Sequence, residues 1–161
     1  MSPIFLETPL RKIFAQYHAP SVRYRHLAFS SKDVLVLDEL ATVITKILPG
    51  YTVWDGNQST AQSPISQCSR SDFIQQTFDS QQTGLIIVRP DEWLRHWPLP
   101  DKQAFWSALS TRHGGHHVVV VFSGGNDFAQ QNNHYFVPHE LQGTAITLWV
   151  SSKTQFPRLD K

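Results

Sequence analysis

Val118-Val119-Val120-Val121 is a continuous apolar, β-branched run within His117 to Phe122, with Gly114-Gly115 before it and Ser123-Gly124-Gly125 after it. A run without polar alternation predicts a strand covered on both faces, as in a parallel sheet. Gly84 to Val88 has the same character, with Pro90 close behind, and Ala145 to Ser151 is a third such segment. Tyr51 to Trp54 is a short fourth, bracketed by Pro49-Gly50 and Asp55-Gly56. Val22 to Phe29 alternates imperfectly and supplies the fifth.

Helical periodicity falls between these runs. From Ser31, read as an N-cap, to about Leu48, the residues Leu37, Leu40, Ala41, Ile44, Ile47 and Leu48 follow the i, i+3, i+4 pattern, and Pro49-Gly50 stops it. Val34 to Leu37 reads equally as a strand, which would move the helix start to Asp38. A shorter helix opens at Ser71 or Asp72. Asp101 caps another, in which Phe105, Trp106 and Leu109 share a face and His113-Gly114-Gly115 ends it. Pro9 to Tyr17 places Leu10, Ile13, Phe14 and Tyr17 on one side of a further helix.

Strands apolar throughout, alternating with helices, predict an α/β domain: an open, mostly parallel sheet of about five strands with helices on both faces. The expected organisation is one domain over residues 1–161, with a core over about 22–151, a mobile polar loop at 57–71 and a free tail at 153–161.

Composition narrows the function classes. The chain has 161 residues, enough for one sizeable core. Charged residues are 17% and net charge is +1, which disfavours electrostatic capture of nucleic acid. Cys68 is the single cysteine, so neither an internal disulfide nor a multi-cysteine zinc site is expected. No apolar run approaches the ~20 residues of a membrane span, and the first dozen residues lack a signal-peptide layout. The expectation is a cytoplasmic protein without membrane insertion.

In an open α/β sheet, ligands meet the carboxyl ends of the strands. The first junction there reads Phe29-Ser30-Ser31-Lys32-Asp33. A phosphate loop needs G-x-x-x-x-G-K-[ST], because glycines let successive N–H groups surround the phosphate, and this junction has none. Ser31 and Lys32 remain its anion-binding candidates. After Gly84–Val88 come Arg89-Pro90-Asp91-Glu92, where Asp91 and Glu92 are candidate acids for a metal or water, or simply the start of a helix. After the valine run, Gly124 and Gly125 are candidates for an anion-binding nest and Asn126 for a polar sensor, the alternative being a tight turn.

This succession of strand, polar loop, helix and strand with trailing acids resembles the layout of P-loop NTPases of the RecA and AAA kind over about residues 22–151, without their Walker A loop. The resemblance lies in the layout alone, so no catalytic role carries over. Relatives of these ATPases that lack the phosphate loop, among them a bacterial cell-division inhibitor, act by binding a protein. The resemblance therefore implies a pseudo-ATPase: a regulatory or adaptor subunit of a larger bacterial complex, with no cofactor and homo-oligomerisation left open.

Trp93 and Trp97, four apart, and Phe156 in the tail are the candidate partner contacts, since aromatics are enriched at interfaces. His113, His116 and His117 are metal-ligand candidates by proximity, although adjacent strand residues face opposite ways. Two alternatives stay open: a small metal- or nucleotide-dependent hydrolase using strand-end Asp91, Glu92, Asn126 and His116, and a nucleic-acid-binding module, for which Arg89, Arg95 and His96 are a thin basic supply.

Overall fold

A computed structural model describes residues 3–17, 26–55, 84–94, 97–111, 117–123, 135–141 and 144–152. The elements follow as α1 (Pro3–Tyr17), β1 (Leu27–Ser30), α2 (Val34–Ile47), β2 (Thr52–Asp55), β3 (Leu85–Val88), α3 (Asp91–Leu94), α4 (Leu99–Thr111), β4 (Val118–Phe122), β5 (Phe136–Leu141) and β6 (Ile146–Ser151). Among the described residues the strands form one sheet of six, in the order β2-β3-β4-β1-β6-β5. Strands β2, β3, β4 and β1 run parallel. β6 is antiparallel to both of its neighbours. The architecture is α/β, with six strands rather than five and a mixed sheet that is mostly parallel.

The sixth strand, β5, was hidden by its own sequence, Phe-Val-Pro-His-Glu-Leu. Proline cannot donate to a ladder, so Pro138 argues against a central strand and is tolerated only at an edge. β5 occupies that edge. Only four residues separate β5 from β6, too few for a crossover, so the two pair antiparallel. Thr144 shapes the connection: its N–H and its hydroxyl both donate to the Leu141 carbonyl, and its Oγ1 accepts from Ile146 N–H.

The valine run behaves as its composition requires. Val118, Val120 and Phe122 join one apolar cluster with Phe105, Trp106 and Leu109 of α4. Val119 and Val121 join the other, with Leu6, Leu10 and Phe14 of α1 and Leu37, Leu40 and Ile44 of α2. Helices thus cover both faces, and β4 is buried along its whole length.

Three boundaries differ from expectation, each for a local reason. The N-cap of α2 is Asp33, not Ser31: its carboxylate accepts from Leu35 N–H at 3.0 Å, and Val34 already begins the helix. The alternative strand at Val34–Leu37 is thereby excluded. α4 begins at Leu99, with Asp101 inside its first turn, because Pro98 O accepts from the Asp101 and Lys102 amides. α1 begins at Pro3 and carries Pro9 in its interior. An interior proline costs about 3 kcal/mol. Burial of Leu6 on the stripe shared with Leu10, Phe14 and Tyr17 offsets this, as do the pairs of Glu7 with Arg11 and with Lys46 on α2.

The loop at 57–71, the helix opening at Ser71 or Asp72, residues 22–25 of the fifth predicted strand and the tail lie outside the described residues. Among the described residues, no helix is long and apolar enough to cross a membrane.

Candidate functional site

The carboxyl ends of β1, β2, β3 and β4 lie along one edge of the sheet, and the residues that follow them form one connected polar group. At the first junction every hydroxyl is engaged internally. Ser30 Oγ accepts from the Trp149 indole at 2.7 Å. Ser31 is 3% exposed; its N–H donates to Phe122 O and its Oγ accepts from Asp33 N–H at 3.1 Å. Asp33 then places its own carboxylate on the helix N-terminus. The dipole end that would attract phosphate already faces an anion, and a second anion there would be repelled. Lys32 is exposed beside it. The next two residues, Val34 and Leu35, are 63% and 75% exposed.

At the second junction Arg89 adopts φ 55°, the left-handed region, which costs a side-chain-bearing residue on the order of 1–2 kcal/mol. Two kinds of contact hold it there. Its amide donates to Val121 O at 2.8 Å, extending the β3–β4 ladder by one rung. Its guanidinium meets the Asp55 carboxylate at the end of β2, at 3.3 and 3.4 Å, and that of Asp38 on α2. Asp91 follows at the start of the single turn α3, where Pro90 O accepts from Leu94 N–H. A helix does start at Asp91, directly after Pro90. Asp91 Oδ2 accepts from both the amide and the hydroxyl of Ser123, at 3.0 and 3.2 Å, tying the second junction to the third.

The structure thus gathers Ser31, Lys32 and Asp91 at one edge. Trp97 is not on the surface. It is 7% exposed and packs edge-on against Phe105, with ring centroids 6.5 Å apart, so its ring belongs to the α4-side core. Gly124, Gly125, Asn126, His113, His116, Phe156 and the side chains of Glu92 and Trp93 lie outside the described residues. Asp38 and Asp55 were not singled out from sequence, and Arg89 was named only as part of a thin basic supply. The signal that exists, an arginine directly before a proline, predicts extended backbone rather than φ 55°.

The opposite edge, at the amino ends of the same strands, is built largely from rings. His26 is 2% exposed, and its Nδ1 accepts from Val118 N–H at 3.0 Å. His117 lies here, on the opposite edge of the sheet from Asp91. Its Nδ1 shares a hydrogen bond with the Tyr51 hydroxyl at 2.8 Å, and its carbonyl accepts from Leu85 N–H. Burial pushes the Tyr51 phenol above its ordinary range, so it stays protonated. Gly84 lies against the Tyr51 ring; a Cβ there would stand 2.6 Å from it. Among the described residues, no group of three histidine, cysteine or acidic side chains is placed to hold a metal ion.

No protein-family model, curated protein or solved structure matches the chain.

Proposed function

We propose that the chain is a non-enzymatic adaptor, a degenerate P-loop-like module that binds a protein partner within a larger bacterial complex. The first junction carries this reading. The Ser30 and Ser31 hydroxyls accept from Trp149 and Asp33, the Asp33 carboxylate caps α2, and the next two side chains, Val34 and Leu35, are exposed aliphatics. Adjacent exposed aliphatics at the carboxyl edge suit burial against another protein, since apolar area removed from water contributes ~25 cal/mol per Å². The hydrolase alternative has less support, because Asp91 already takes two hydrogen bonds from Ser123.

Titration calorimetry with ATP and magnesium is expected to show no saturable binding. In affinity purification from the native host, a V34E/L35E double variant is expected to lose the partner retained by the parent chain while keeping its thermal midpoint. Tight ATP binding abolished by Lys32→Ala would overturn the proposal.

A further inference from the structure

The start of α2 presents two exposed aliphatic side chains beside an unbalanced set of charges, and together they select the chemistry of what docks there. Asp38 lies four residues after Val34 and three after Leu35, so the three share one face of the helix, one turn apart. The Asp38 side chain is half-exposed. Thr42, four residues further on, is exposed too, and its hydroxyl is engaged inside the helix, donating to the Asp38 carbonyl at 2.9 Å. A surface that covers Val34 and Leu35 therefore covers Asp38 as well.

Asp38 is only partly balanced from within the chain. The Arg89 guanidinium meets Asp38 and Asp55 together, which leaves one negative charge over the three groups. At this edge Lys32 and Arg89 stand against Asp33, Asp38, Asp55 and Asp91: two cations and four carboxylates, a balance of −2 in a chain whose net charge is +1. Covering a half-exposed carboxylate with apolar surface strips its water, and that cost is offset only when the cover brings a hydrogen-bond donor of opposite charge. An acidic cover is repelled, and a purely aliphatic one leaves the excess charge uncompensated.

We propose that the partner surface that docks on the start of α2 is apolar and basic together, with aliphatic side chains against Val34 and Leu35 and a lysine or arginine reaching Asp38. This inference rests on the adaptor reading and adds the partner's chemistry to it.

Fluorescence anisotropy of two synthetic amphipathic peptides on the full chain tests it. One is built of leucine with lysine, the other of leucine with glutamate in the same places. The leucine–lysine peptide is expected to bind saturably and to weaken as salt rises from ~50 to ~500 mM, and the leucine–glutamate peptide is expected not to bind. D33N/D38N removes two charges and keeps the cap of α2, since asparagine accepts from Leu35 N–H as aspartate does. It is expected to bind the leucine–lysine peptide ~10-fold more weakly, with a smaller salt dependence and an unchanged circular dichroism spectrum. Should that spectrum change, D38N alone serves, with the same direction expected. V34S/L35S is expected to weaken the same peptide, which ties binding to this face. Equal or stronger binding of the leucine–glutamate peptide, no binding of either, or a leucine–lysine affinity that either double variant leaves unchanged would overturn the proposal. The adaptor reading is decided separately. If V34E/L35E loses the partner captured from the host while peptide binding is blind to charge, that reading stands and this inference falls.

Discussion

The two ends of the parallel strands share one backbone register and have been finished in opposite ways. At the amino edge, His117, Tyr51 and Gly84 fit around one another, and a ring nitrogen of His26 serves as acceptor to a strand amide. At the carboxyl edge, Arg89 sits in strained backbone between two carboxylates, Asp91 links two junctions, and two aliphatic side chains point into water. The first arrangement is what stability alone would select. Strain and exposed apolar surface oppose stability, and the adaptor reading proposed above takes their presence at the carboxyl ends as the place where a partner is met.

Replacing His26 breaks the comparison hardest. His26→Ala leaves Val118 N–H buried without its ring acceptor and opens a cavity; a loss of ~3 kcal/mol is expected in chemical denaturation. His26→Asn, which offers an oxygen near the Nδ1 position, should recover part of it. Equal losses for the two variants would show that the hydrogen bond is not what matters there.

Gly84→Ala comes next, at about 2 kcal/mol, because the new methyl overlaps the Tyr51 ring. Combining it with Tyr51→Ala should give less than the sum of the two single losses, and strict additivity would refute the contact. Tyr51 also has a signature in pH. Its phenol is raised by burial, so stability is full below the ordinary tyrosine value of about 10 and falls as pH rises above it. Tyr51→Phe should remove Tyr51's share of that alkaline decline.

At the carboxyl edge smaller losses are expected, since the groups there are partly solvated. Arg89→Ala removes the pairs to Asp38 and Asp55 yet keeps the strained φ; a loss of about 1 kcal/mol is expected. Arg89→Gly relieves the strain and should be the more stable of the two by ~1 kcal/mol. If Ala proves as stable as Gly, the left-handed backbone at this position stores no measurable strain.

The smallest effect lies away from both edges, at Glu7. Hydrogen bonds from Lys46 first, then Arg11, hold its carboxyl below the usual range. Its contribution is present above the ordinary glutamate value of about 4.3 and is lost as pH falls through the lowered one. Glu7→Gln should flatten that part of the acid limb; an unchanged pH profile would show that the α1–α2 pair contributes nothing measurable.

Much of the frame was readable in advance. Val118 to Val121 and Leu85 to Val88 announce strands covered on both faces because no polar residue interrupts them. The apolar spacing from Leu37 to Ile47 could only satisfy a helix. The absence of glycine at Ser30-Ser31-Lys32-Asp33 was equally plain. Trp97 misled because a tryptophan four residues from another reads the same whether its ring faces solvent or core.

What the chain's own order of residues determined, then, was local: the buried strands, the amphipathic helix α2, and a first junction unable to wrap a phosphate in glycine backbone. These follow from residue periodicity and backbone freedom, which act over a few positions. Only the tertiary structure decided the rest. Pro138 became acceptable once β5 was an edge, and β6 turned antiparallel because its partner lay four residues away. Arg89 met Asp55 across 34 residues, and His26 met Val118 across 92. Such pairings depend on where the sheet sets its strands, and no spacing along the chain encodes that distance.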